Sequence, residues 1–214
     1  MASLCCVGAL SNLDDLSLKA LVLVAAYLLG SIPFGLLLTR AAGKGDVRAQ
    51  GSGNIGATNV LRTGSKGLAA ATLLLDAGKG AAAVLTVRYG IGRELGMLEP
   101  LAAGAALIGH LYPVWLGFKG GKGVAIFLGI AFALAWPIGA VAAGTWLLSL
   151  AATRTSSISG MAAAWSAPLT AALMGRGRLA WFFAAVALLI TWMHRANIAR
   201  LRAGTEPRVG RKAV

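Results

Sequence analysis

Thirty consecutive residues, Val124–Thr153, carry no charge. As one straight helix they would measure about 45 Å, against a hydrocarbon core of about 30 Å. Trp136-Pro137 falls inside the run, and proline ends or kinks a helix. The run therefore reads as a hairpin of two short helices breaking at Trp136-Pro137. An element of this kind points the chain to a membrane fold. Five further apolar runs repeat the message: Ala20–Thr39, Gly67–Val87, Leu101–Phe118, Ser159–Gly175 and Leu179–Met193. In the first of them, Gly30-Ser-Ile-Pro-Phe-Gly35 predicts a kink near one end.

Composition agrees. The chain is 57% hydrophobic and 13% charged, with a mean hydropathy of +0.75, where a soluble domain has roughly 25% charged residues. The expectation is an all-α integral membrane protein, a single polytopic domain over residues 1–214. It has seven transmembrane helices, some short. Residues 1–17 form a short tail and 205–214 end a basic one. Charge asymmetry orients it. Of 20 Lys and Arg, five fall on one side (Lys19, Arg88, Arg93, Arg176, Arg178) and Lys79 lies within a span, which leaves 14 on the other side. Cytoplasmic loops collect Lys and Arg, so the N-terminus is expected outside and the C-terminus in the cytoplasm. A five-helix alternative places Arg176 and Arg178 mid-membrane, at high cost.

The net charge of +13 would suggest nucleic acid in a soluble protein. Here the basic residues sit between apolar runs, and nucleic acid is excluded as a partner. Cys5 and Cys6 are adjacent and near no metal-ligating pattern, so neither a long-range disulfide nor a metal site is expected. No cofactor is expected either. Lys19 is the first basic residue, so a removable signal peptide is not expected.

The chemistry-bearing residues lie in the loops predicted to face the cytoplasm. Arg48-Ala-Gln-Gly-Ser-Gly-Asn-Ile-Gly-Ala-Thr-Asn-Val-Leu-Arg62 is rich in glycine and small polar residues. Glycine lets backbone N–H groups wrap an anion. Ser52, Gly53, Asn54, Thr58, Asn59 and Arg62 are the candidate phosphate-binding residues. The stretch contains G-x-G-x-x-G, but a Rossmann fingerprint needs a preceding strand and a βαβ unit, and no Walker A pattern occurs. Lys119-Gly-Gly-Lys122 is a second candidate anion site, or a product of loop topology alone. Asp76 and Lys79 are three residues apart on one helical face within a span. They form a structural ion pair or line the substrate site. His110 reads as an interior or interfacial histidine. His194 and Asn197, at i and i+3, follow the last span. His194 reads as a base, a phosphate donor or an interfacial anchor. Neither histidine begins an H-x-x-x-x-D pattern, and no Ser–His–Asp arrangement is visible.

Gly51-Ser-Gly-Asn-Ile-Gly-Ala-Thr-Asn59, with Gly30-Ser-Ile-Pro-Phe-Gly35, Gly109-His-Leu-Tyr-Pro-Val-Trp115, Phe118-Lys-Gly-Gly-Lys-Gly-Val124 and His194-Arg-Ala-Asn-Ile198, resembles the PlsY family. These are bacterial membrane acyl-phosphate:glycerol-3-phosphate acyltransferases, and the likeness runs over roughly residues 20–204. It implies acyl transfer from acyl phosphate to the 1-hydroxyl of glycerol 3-phosphate, giving lysophosphatidic acid, the first acylation of phospholipid synthesis. It implies a bacterial inner-membrane location and a site on the cytoplasmic face. The implied partners are the two substrates, membrane lipid and the soluble PlsX-type enzyme that makes acyl phosphate. Ser52, Arg62, Lys122, Ser157, His194 and Asn197 match positions lining the family's site. His194, Asn197 and Ser157 are the expected catalytic group. Two positions depart: Met193 and Ala196 stand where the family usually has Arg and Glu. A transporter of a phosphorylated solute is the competing reading. It predicts an inverted repeat and a midplane site, and the sequence shows neither.

Overall fold

The computed structural model describes residues 15–91 and 97–209. Cys5, Cys6 and Arg93 lie outside the described residues. Every regular element among the described residues is helical. In chain order they are α1 (Asp15–Gly30), α2 (Phe34–Ala41), α3 (Ala57–Leu61), α4 (Lys66–Thr86), α5 (Leu98–Leu111), α6 (Val124–Leu134), α7 (Trp136–Thr153), α8 (Ser156–Leu173), α9 (Gly177–Met193) and α10 (Arg195–Arg202). Single 3₁₀ turns at Val47–Ala49 and Val114–Leu116, and a π turn at Val87–Ile91, join them.

Prolines set several of the boundaries. Pro33 has no N–H to give and separates α1 from α2. The residue before a proline is pushed out of the helical region. Tyr112, before Pro113, accordingly sits at φ −130°, ψ 62°. This ends α5 at Leu111, where hydrophobicity alone predicts a span to Phe118. The uncharged run divides at Ala135, which is extended at φ −159°. The carbonyls of Ala133 and Leu134 freed by this break accept from the Arg88 guanidinium at 2.6 and 3.3 Å. Glu99 balances that guanidinium.

Among the described residues, three stretches are long and apolar enough to cross a membrane: Leu16–Ala41, Lys66–Gly90 and Trp136–Thr153. The pair α9 and α10, bent by 59°, makes a fourth if taken as one span. The surface is inverted relative to a soluble protein. Leu173 and Trp181 are both 81% exposed, while Ala163, Ala164, Ala167 and Ala171 on α8 are fully buried. Without a hydrophobic drive between helices in lipid, small residues that allow close approach hold a bundle together. Gly30 of α1 lies against Ala106 of α5, and Gly109 of α5 against Tyr27 of α1. Gly129 of α6 lies against the Ala77 backbone of α4, where an added Cβ would meet the carbonyl oxygen at 1.9 Å.

An ion pair within α4 is buried in this apolar packing. Lys79 Nζ lies 2.8 Å from Asp76 Oδ1, and it donates to the Ile32 carbonyl at 2.7 Å, at the α1–α2 break. Its ammonium also lies 5.6 Å from the Phe34 ring centroid. Removing one partner of a buried pair leaves an uncompensated charge, at a cost of about 3–5 kcal/mol. Lys79→Met should lower the unfolding free energy by that order. Asp76→Leu combined with Lys79→Met should regain most of it. Thermal unfolding in detergent checks both, and a double variant no more stable than the single one counts against the pair.

Candidate functional site

The polar loops gather at one end of the bundle. The first loop, residues 47–62, is closed by Asn59. This buried side chain donates through Nδ2 to the carbonyls of Val47 (2.8 Å), Gln50 (3.0 Å) and Asn54 (2.8 Å). Its Oδ1 accepts from the Ser52 N–H at 3.1 Å. Gly51 and Gly53 take φ of +54° and +67°, a region that favours glycine. Asn54 Oδ1 accepts from the Gly56 N–H at 2.9 Å. In this geometry the Asn59 amide and Asn54 Oδ1 are engaged by the loop's own backbone. The Ser52 side chain, Gly53, Thr58 and Arg62 are exposed. Arg48 is committed to Asp46, with Nη2 to Oδ2 at 2.6 Å.

The second loop, Lys119–Gly123, is laid on the end of α5. The N–H groups of Gly120 and Gly121 donate to the carbonyls of Leu111 and His110, each at 3.0 Å. Side chains cannot be added there. A Cβ on Gly121 would lie 2.0 Å from His110 Nε2, and one on Gly120 would lie 2.1 Å from the His110 carbonyl oxygen. This seating directs Lys122 into the bundle end, while Lys119 stays exposed. His110 is buried with Nδ1 3.7 Å from Asp76 Oδ1, and that nitrogen has no hydrogen-bond partner among the described residues.

Three elements then converge. Lys122 Nζ donates to Asn197 Oδ1 at 2.5 Å. Asn197 Nδ2 donates to Glu206 Oε1 at 2.6 Å. Ser157 Oγ donates to the same carboxylate oxygen at 2.7 Å, and Arg200 Nε donates to Glu206 Oε2 at 2.7 Å. The first loop reaches this group through Thr58, whose hydroxyl lies 3.0 Å from that of Ser156. His194 is the last residue before α10 and is buried. Its Nδ1–H donates to the Ile190 carbonyl at 2.8 Å, as a residue closing a helix can. Nε2 is thereby left with a lone pair, and Gly160 provides room beside it, its ideal Cβ position lying 3.7 Å away.

Burial pushes the Lys122 ammonium down to about 8, with Arg200 and Arg62 adding to the effect and Glu206 opposing it. Burial likewise pushes the His194 imidazole down to about 4, against its bond to the Ile190 carbonyl. The ring is therefore neutral near pH 7. Burial alone would raise Glu206, but hydrogen bonds from Asn197, Ser157 and Arg200 outweigh it and hold the carboxyl below the usual range.

The sequence-predicted residues Lys122, Ser157, His194 and Asn197 are thus brought together, with Thr58 and Arg62 nearby. Asp76 and Lys79 are placed otherwise. Their partners are each other, the Ile32 carbonyl, the Phe34 ring and His110. Glu206 is absent from the sequence reading, which left it in a basic tail. Its signal was Gly204, two residues before it, which takes φ +70° and turns the chain back after α10. The departure at Ala196 removes nothing from this group, because position 196 is exposed while Asn197 is buried.

Comparison with known proteins covers nearly the whole chain. A family model described as glycerol-3-phosphate acyltransferase matches residues 20–204. A glycerol-3-phosphate acyltransferase of Cereibacter sphaeroides is 55% identical over 198 residues, covering 92% of this chain and 93% of its own. One of Paramagnetospirillum magneticum is 56% identical over 196 residues, covering 90% and 96%. Two crystal structures of PlsY, described as an integral membrane glycerol 3-phosphate acyltransferase, share the fold. Its glycerol 3-phosphate form gives a TM-score of 0.84 at 36% identity, covering 90% of this chain and 96% of that one. Its lysophosphatidic acid form gives 0.82 at 35%, covering 90% and 95%.

The loop geometry makes a prediction independent of chemistry. Asn59→Ala removes two N–H donors shared among three carbonyls and one accepted bond, each bond worth about 0.5–1.5 kcal/mol net. Hydrogen exchange at the Ser52 and Gly53 amides should accelerate by at least about tenfold. Unchanged exchange there would mean that Asn59 does not hold the loop.

Proposed function

The chain belongs to the PlsY family of glycerol-3-phosphate acyltransferases, and from that premise we propose that it moves a fatty acyl group from acyl phosphate to the 1-hydroxyl of glycerol 3-phosphate. The products are lysophosphatidic acid and phosphate. The observation that carries the reading is the convergence of two glycine loops on Lys122, Asn197, Ser157 and His194 at one end of an apolar bundle. Acyl phosphate is a mixed anhydride, already activated. The protein needs to neutralise phosphate, orient the hydroxyl and leave the acyl tail in lipid. The transport alternative falls with the family assignment.

The mechanism is direct attack. The glycerol oxygen adds to the acyl carbonyl carbon, the bond from that carbon to the phosphate oxygen breaks, and phosphate departs with the electron pair. The hydroxyl proton passes to His194 Nε2 or to a phosphate oxygen. The glycine loop, through the exposed Ser52 and Thr58 hydroxyls, holds the donor phosphate, and Arg62 and Lys122 hold glycerol 3-phosphate. Ser157 and Asn197 orient the groups around them.

Placement in the membrane follows the charge asymmetry. The α1–α2 pair, α4, α5, α6, α7, α8 and α9 make seven crossings of the bacterial inner membrane, with the N-terminus outside. The site and α10 lie at the cytoplasmic face, where a soluble PlsX-type enzyme delivers acyl phosphate.

Purified protein given glycerol 3-phosphate and acyl phosphate should form lysophosphatidic acid, with no acyl adduct on the chain by intact mass. Product from acyl-CoA alone overturns the donor, and an adduct overturns direct attack. A pH profile gives a second prediction. Lys122 carries its charge only below about 8, so kcat/KM for glycerol 3-phosphate should fall as pH rises through that value. Lys122→Arg, which holds its proton in proteins, should keep a lower activity that no longer falls there.

A further inference from the structure

Chain return after α10 places a carboxylate where the proposed mechanism has no stated use for one. Gly204 takes φ +70°. The Thr205 N–H donates to the Arg200 carbonyl at 2.9 Å, and the Val209 N–H donates to the Arg154 carbonyl at 2.7 Å. Residues 203–209 thus lie from the end of α10 back to the start of α8. Between these two fastenings, the Glu206 side chain is 7% exposed.

An Asn amide has one donor end and one acceptor end, of similar shape, and its orientation is set by its partners. An ionised carboxylate only accepts. Glu206 therefore selects the Nδ2 end of Asn197, which leaves Oδ1 on the side that accepts from Lys122. With the amide reversed, Nδ2 would face the ammonium, donor against donor. The same carboxylate oxygen accepts from the Ser157 hydroxyl, so the lone pairs of Ser157 Oγ stay free to accept. The groups facing Lys122 are Asn197 from α10, Glu206 from the return segment, Arg200 from α10, Arg62 after α3 and His194 before α10. Of these, Glu206 is the negative one.

We propose that Glu206 is a positioning residue. Its carboxylate fixes the Asn197 amide and the Ser157 hydroxyl, and through Asn197 it aims Lys122 at the phosphate of glycerol 3-phosphate. The return segment 203–209 is then part of the active site, not a tail beyond it. This role rests on the reaction proposed above for Lys122, and it names the residue that sets that lysine's direction.

The test is a double-mutant cycle on the full-length protein with Glu206→Gln, Asn197→Ala and the pair. Glu206→Gln should raise KM for glycerol 3-phosphate about tenfold or more, with a smaller change in kcat. Its alkaline limb should move to lower pH, because Lys122 then faces only cations and neutral groups. Glu206→Asp, which keeps the charge, should recover part of the loss. In the Asn197→Ala background, Glu206→Gln should cost less than about twofold more, since it acts through the missing amide. Losses that multiply in the pair overturn the proposal. So does a lowered melting temperature with KM and the alkaline limb unmoved, which is the signature of a merely structural carboxylate. Glycerol 3-phosphate affinity by calorimetry gives the same cycle without turnover. Wild-type protein that forms no lysophosphatidic acid overturns the reaction. Binding weakened by Glu206→Gln alone would then still uphold the positioning role, and binding unchanged in every variant would end it.

Discussion

A carboxylate and an ammonium lie 2.8 Å apart inside the bundle, and much of the site hangs from that pair. Taking two charges out of water costs several kcal/mol per ion, which their attraction repays only with further hydrogen bonds. Lys79 finds its further partner in the Ile32 carbonyl, an acceptor made available where Pro33 interrupts the helix. The penalty of burial is thus offset by a carbonyl at the break, which also accepts from the Phe34 N–H at 3.1 Å. This ties α4 to the α1–α2 break, and the first glycine loop is strung between them. Asp76 in turn faces His110, whose ring lies against Gly121 in the second loop. The ion pair thus links the α1–α2 break to the histidine on which the second loop is seated.

The site itself is an exercise in unequal charge. Lys122, Arg62 and Arg200 bring three cations toward a place where the proposed substrates bring two phosphates. Without substrate, that surplus works against Lys122, which burial has already pushed down to about 8. One carboxylate moderates the surplus without cancelling it. Its hydrogen bonds hold it ionised, so the field is weakened at Lys122 yet left positive for an incoming anion. A neutral His194 suits the same economy. An imidazolium there would add repulsion, whereas Nε2 with a lone pair can receive a proton.

How much of this was legible depends on whether a residue's neighbours in space are its neighbours in sequence. The break at Trp136-Pro137 and the α1–α2 kink could be read because proline acts locally. The glycine loops could be read for the same reason. Asn59 could not be assigned correctly, because an exposed donor and a buried staple have the same composition. Only the fold shows three loop carbonyls around one amide. Ala196 shows the reverse case. It adjoins Asn197 in the chain, but successive helical residues point about 100° apart, and a side chain there faces outward. Glu206, nine positions from Asn197, meets it because Gly204 folds the chain back. Composition marks that stretch as a basic tail and conceals the carboxylate within it.

Helix length explains why the number of crossings resists counting while the location of the site does not. α6 has 11 residues, about 16 Å at 1.5 Å per residue, and α5 has 14, about 21 Å. Neither matches a hydrocarbon core of about 30 Å. Both are cut short next to the second loop, α5 by Pro113 and α6 by its start at the glycine loop. A loop between two short helices sits closer to the apolar interior than one between full-length spans, or the bilayer thins to meet it. An acyl donor with its tail in lipid and its phosphate in water requires that depth. In the proposed placement, the same prolines and glycines that spoil a hydropathy count bring a charged loop to the boundary between hydrocarbon and water, where the two halves of the proposed acyl donor meet.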